Sequence, residues 1–162
     1  MNKGMDEEYM ALALAEAAIA AEEDETPVGA IIVANGKIIG RGHNLRESGK
    51  DATLHAEMIA IREACKNLGG WRLPGATIYV TLEPCPMCAG AMVQARIERL
   101  VYGAADPKSG AAGSVIDLVR MDALNHQMEV VAGILADESA ALLKSFFAAK
   151  RKKNTDSIEY KR

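Results

Sequence analysis

Aromatic side chains are scarce in this chain, with one Trp, four Tyr and two Phe among 162 residues. Seven rings cannot supply an extended platform on which successive nucleic-acid bases stack. Cysteine is scarce too: three thiols make no disulfide framework and fit a reducing cytoplasm. Long apolar runs are missing, and no stretch approaches the roughly 20 residues needed to cross a bilayer. The amino terminus lacks the basic start of an export signal and carries Asp6, Glu7 and Glu8 instead. Neither membrane insertion nor export is expected.

What is present suits a compact soluble protein. With 49% hydrophobic and 25% charged residues, the chain is long enough for one real core and short for two. Residues 1–151 are expected to form a single domain and residues 152–162 a basic, flexible tail. Met5 to Glu22, rich in Ala, Leu and Glu, reads as a helix. Val28 to Ala34 and Lys37 to Gly42 read as antiparallel strands joined by the hairpin signal Asn35-Gly36. A helix from His55 to Leu68 stops at Gly69-Gly70, and Cys65 on it reads as a small core residue. Thr77 to Thr81 is a strand leading into a helix that begins at Glu83-Pro84-Cys85. Further strands are expected at Arg99 to Tyr102 and Val130 to Val131, with a closing helix from Asp137 to Arg151. The glycine-rich segment Gly103 to Ser114 reads either as a surface loop or as an ordered wall with its backbone close to a ligand. This alternation indicates an α/β sheet covered on both faces.

One spacing carries chemistry. His55-Ala56-Glu57 is followed by Pro84-Cys85-Pro86-Met87-Cys88, with Cys85 28 residues beyond Glu57. One imidazole and two thiolates suit a zinc ion, and three protein ligands leave the fourth position to water, as in catalytic sites. Cys85 and Cys88 share one face of a helix's first turn, where Pro86 is tolerated and the positive helix end favours thiolate. His55 and Glu57 diverge in the middle of a helix and converge only if His55 sits at the helix start. A C-x-x-C alone is a weak sign, compatible with a redox pair, half of a structural zinc site or two plain thiols. A four-ligand structural site would need His43, Cys65 or His126 and would leave Glu57 without a task. The H-x-E and P-C-x-x-C combination is the signature of zinc-dependent nucleobase deaminases.

In order and separation, Thr26 to Ala30, Gly42-His43-Asn44, His55 to Glu57, Val80 to Ala91 and Gly103 to Ser114 resemble the bacterial tRNA-specific adenosine deaminases. The likeness covers roughly Met5 to Lys150. The zinc motifs are shared by the whole cytidine deaminase-like superfamily. The stretch from Asp106 to Ser114, and the pairing of Asn44 with the Pro-Val-Gly-Ala strand, resemble the tRNA branch in particular. The resemblance implies a three-layer α/β/α fold with a central mixed sheet of about five strands. It also implies one Zn2+ per chain held by His55, Cys85 and Cys88, and conversion of adenosine to inosine at the wobble position of a tRNA anticodon. In that scheme zinc-bound hydroxide attacks C6 while Glu57 shuttles the proton. By the same resemblance Asn44 contacts the base, Val28, Ala56 and Pro84 line its pocket, and Asp106 lies near the flanking ribose. Read without the family, Asn44 after Gly-His is a turn residue. The implied partners are a tRNA anticodon stem-loop and a second copy of the chain, as a homodimer.

Charge is segregated. The net value is −3, yet residues 1–25 hold one basic and eight acidic residues, and residues 144–162 seven basic and two acidic. The basic end suits phosphate, although a solvated charge run explains it as well. Two other functions use the same motifs. A free guanine or cytosine deaminase would share the zinc and the glutamate, and only the substrate loops argue against it. A non-catalytic zinc-stabilised RNA-binding module fits poorly with an intact Glu57 and three ligands.

Overall fold

Three strands buried along nearly their whole length set the architecture. The computed structural model of the protein describes residues 3–160. β1 (Gly29–Ala34), β3 (Thr77–Leu82) and β4 (Arg99–Ala104) are largely apolar and enclosed, as strands covered on both faces are, and buried Arg99 is paired with Asp6. The part-exposed β2 (Lys37–His43) and β5 (Glu129–Ala132) form the edges, giving the order β2-β1-β3-β4-β5. β1 is antiparallel to β2 and β3, whereas β3, β4 and β5 run parallel. The mixed five-stranded sheet is the one expected.

Strand side chains alternate between two cores. Ile31, Val33, Tyr79 and Val101 pack with Met10 and Ala13 of α1 (Lys3–Glu22). Ala30, Ile32, Ile78, Val80 and Leu100 face the other way, into a core shared with α2 (Ala56–Leu68) and α3 (Pro86–Gln94). α4 (Ala136–Tyr160) lies against β3 and β4 beside α1, which completes three α/β/α layers.

Two boundaries differ from the sequence reading. The segment expected to open at Gly103 is still strand there, because β4 stays paired with β3 as far as Ala104 opposite Leu82, and a Cβ on Gly103 would fall 2.5 Å from the Ser139 hydroxyl and 2.6 Å from the Thr81 carbonyl. Glycine thus lets α4 sit close on β4. The closing helix continues past Arg151 to Tyr160, so residues 152–160 of the basic end are helical, and residues 161 and 162 lie outside the described residues. The start of β1 and the ends of β2 and β3 meet at one edge of the sheet. The starts of α2 and α3 follow from the last two, through the loop after β2 and directly after β3.

Candidate metal centre and its cavity

His55 occupies the N-cap of α2 in an extended conformation, φ −78° and ψ 153°, and Glu57 stands in the first turn. This is the placement that lets residues two apart converge. Cys85 caps α3 in the same way, at φ −73° and ψ 172°, with Pro86 opening the helix and Cys88 buried in its first turn. The His55 Nδ1 atom lies 3.6 Å from Cys85 Sγ and 3.5 Å from Cys88 Sγ. A tetrahedral ion bonded to sulfur at about 2.3 Å and to nitrogen at about 2.0 Å separates such ligands by about 3.5 Å, so the donor set fits zinc. Among the described residues the cluster has these three members. The alternative fourth ligands are engaged elsewhere: His43 lies between Glu16 and Glu23, at 2.8 and 3.1 Å, and His126 Nε2 is 2.6 Å from the Ile97 carbonyl. Cys65 Sγ is 3.6 Å from the Trp71 carbonyl.

The electrostatics favour one thiolate and a protonatable acid. A hydrogen bond from Cys88, joined by one from His55, brings the Cys85 thiol down to about 4. The same bond, with burial, pushes Cys88 up. Contact with Cys85 raises His55 above its ordinary value. Glu57 is 4% exposed, and burial lifts its carboxyl to about 7. A carboxyl at that value can take up and release a proton near neutral pH.

A cavity of about 160 Å³ opens over this cluster. Val28, Asn44, Ala56 and Asp106 line it beside His55, Glu57 and Cys85. Asn44 is 6% exposed, and among the described residues its side-chain amide has no hydrogen-bond partner. An amide with donors and an acceptor turned to a cavity can read a base edge. Pro84, expected to line the pocket, is buried and is not among the lining residues; its carbonyl accepts the Ala111 N–H at 2.8 Å.

The MafB19-like deaminase family model matches residues 5–151. The tRNA-specific adenosine deaminase of Bacillus subtilis (strain 168) is 55% identical over 148 residues, which cover 91% of this chain and 92% of that protein. The chain belongs to the tRNA-specific adenosine deaminase family. The Agrobacterium fabrum (strain C58) tRNA-specific adenosine deaminase is 49% identical over 143 residues, covering 88% and 94%. A solved structure from studies of A-to-I editing by tRNA:A34 deaminases at the wobble position of transfer RNA has a TM-score of 0.81 at 48% identity. It covers 84% of this chain and 99% of its own.

Two carboxylates of this family member are not legible as site residues in the sequence. Glu25 reads as part of an acidic cluster, yet it is fully buried and accepts the N–H groups of Glu47 and Ser48 at 2.8 and 2.9 Å and the Ser48 hydroxyl at 2.9 Å. It thereby fixes the loop that carries Arg46 to the cavity. Glu83 is 2% exposed and accepts hydrogen bonds from the opposite wall, at Asp106, Ala112 and Ser114. Burial would raise both acids, but the hydrogen bonds outweigh it and hold both below the ordinary glutamate value. For Glu83 the available signal is an acid directly after a strand without charged residues, since a charge there must find partners. Arg46 and Ser109, also on the cavity wall, carry no such signal.

Proposed function

We propose that the protein hydrolytically deaminates adenosine to inosine at the wobble position of a tRNA anticodon. The observation that carries this reading is the three-ligand cluster beside buried Glu57 on the floor of an Asn44-lined cavity, in a chain of this family. His55, Cys85 and Cys88 would hold one zinc ion. When bound, zinc supplies a Lewis acid that lowers the pKa of water from about 15.7 toward about 7. Glu57 accepts one proton of the attacking water and delivers it to N1 of the purine as the bond to C6 forms; it then takes the remaining hydroxyl proton and passes it to the amine as the C6–N bond breaks and the carbonyl forms. Water and adenosine enter; inosine and ammonia leave. Asn44 orients the base, and a cavity of this size takes one extruded nucleotide, in keeping with the seven aromatics of the chain. Val28, Ala56 and Asp106 form its walls.

Residues 1–151 act as one catalytic unit, because both apolar cores share the same strands. No helix among the described residues is long and apolar enough to cross a membrane. The tRNA substrate and the free thiols fit the cytoplasm. A homodimer belongs to the same reading. Ala89, Ala91 and Ala95 of the small-residue stretch pack in or against the chain's own core, but Gly90 stays partly exposed and lines a surface depression with Leu124, which is 36% exposed. Light scattering at micromolar concentration should give twice the 17.3 kDa chain mass. A fully active monomer would remove the dimer.

Ammonia release measured on an anticodon stem-loop with a wobble adenosine, beside free guanine, cytosine and adenosine, tests the function. A free nucleoside lacks the loop that helps position C6, so turnover should be confined to the RNA. Equal turnover of free guanine or cytosine would replace the tRNA reading with a nucleobase deaminase. Zinc uptake and RNA binding without ammonia release would leave a non-catalytic module.

A further inference from the structure

Glu83 closes the turn after β3, two residues before Cys85. Its Oε1 accepts the Asp106 N–H at 3.0 Å and the Ser114 hydroxyl, and its Oε2 accepts the N–H groups of Ala112 and Ser114, both at 3.1 Å. An ionised carboxylate offers about four lone-pair sites, so these donors saturate it. Although Glu83 lies on the cavity wall, it has no acceptor left for a substrate. The loop backbone rests directly on it: a Cβ on Gly110 would fall 2.3 Å from Oε2. The order passes outward, because Asp106 Oδ1 in turn accepts the N–H groups of Lys108 and Ser109 at 3.0 and 3.2 Å. Asp106 and Ser109 are the two residues this loop contributes to the cavity.

We propose that Glu83 is a positioning residue, whose buried carboxylate organises loop 105–114 into the substrate-facing wall and so sets affinity for the RNA rather than the chemical step. This rests on the deaminase reading above. The reacting groups are fixed by the starts of α2 and α3, to which His55, Glu57, Cys85 and Cys88 belong, and the loop meets this backbone at the Pro84 carbonyl, which accepts the Ala111 N–H. The Ile59 and Ala89 N–H groups bond the His55 and Cys85 carbonyls at 3.1 and 2.9 Å.

Glu83→Gln keeps the shape and replaces one acceptor oxygen by an amide NH2 that faces two donors. The variant should retain about one zinc per chain while KM for the anticodon stem-loop rises about tenfold or more, the scale of one broken charge-assisted hydrogen bond, with kcat within about threefold. Amide exchange at Asp106, Ala112 and Ser114 should accelerate by about tenfold or more as the loop opens locally. Ser114→Ala removes one donor and leaves the backbone bonds, so it should move both readouts the same way by less. If Glu83→Gln does not fold, Ser114→Ala decides by the same readouts. Unchanged exchange at those amides, loss of metal, or a fall in kcat at constant KM would overturn the assignment. A wild-type protein without turnover on the stem-loop would defeat the deaminase reading instead, and the exchange rates alone would then decide whether Glu83 orders the loop.

Discussion

Glu57 and Glu83 border the same cavity and are both buried, but the donors around them give them opposite chemistry. Glu83 is surrounded by backbone N–H groups and stays ionised, whereas burial dominates at Glu57 and brings it to about 7. Two carboxyl groups driven apart in this way by their environment suit the two roles proposed for them, proton transfer for Glu57 and loop positioning for Glu83. Because Glu57 is not one of the metal-binding donors, Glu57→Ala should keep about one zinc per chain while ammonia release falls at least about 10²-fold, the low end for general acid–base catalysis. Cys88→Ala should lose the metal as well. Elemental analysis showing zinc lost from a folded Glu57→Ala protein would contradict the separation. His55, Glu57, Cys85 and Cys88 were legible in the sequence because each pair sits within one helical turn, where spacing fixes geometry. Glu83 and Glu25 were not, because their partners are backbone amides 22 to 31 residues away, and an amide N–H leaves no mark in a sequence.

Among the elements, α1 is fastened to the sheet by a buried ion pair that crosses two layers. Arg99 of β4 donates to both Asp6 oxygens at 2.7 Å, and the Tyr79 hydroxyl of β3 donates to Oδ1 at 3.0 Å. The Arg99 guanidinium holds the Asp6 carboxyl below the ordinary aspartate value. A folded pKa below the unfolded one means that the stabilisation is complete above about pH 4 and disappears as pH falls through the folded value. Asp6→Asn should therefore cost about 3 kcal/mol in urea unfolding at pH 7, the low end for breaking a buried pair, and progressively less below about pH 4. An equal deficit at pH 3 and pH 7 would show that the charge of Asp6 is not what stabilises. The ends of the elements were legible where the stop is local, as at Asn35-Gly36 and at Gly69, whose φ of 77° terminates α2. The last two residues of β4 were not, since pairing with β3 and packing against Ser139 of α4 decide what Gly103 does there. Asp6 likewise looks like any acid near a helix start until Arg99, 93 residues on, is folded against it.

Across the whole molecule, charge is segregated along the chain, acidic at its start and basic at its end. The His55, Cys85 and Cys88 cluster belongs to the starts of α2 and α3, while α4 packs against β4, β3 and α1 and carries residues 152–160 of the basic end. A net charge of −3 does not favour RNA, but α4 is locally cationic, and Arg151, Lys152 and Lys153 are exposed on it. Neutralising phosphates releases condensed counterions, so each phosphate met by a cation adds about 0.7 to 0.9 to the slope of log affinity against log salt. Ending the chain before Lys152 removes four basic and two acidic residues. If those cations meet the stem-loop, the truncated protein should bind it more weakly, most of all at low salt, with a slope flatter by about one unit for every phosphate left without its cation. Zinc content and the rate with saturating RNA should not change, because His55, Cys85 and Cys88 and the side chains lining the cavity all lie before residue 152. Equal slopes for the full and shortened chains would make the basic end a solvated charge run and leave recognition of the RNA to the cavity and its two carboxylate-held walls.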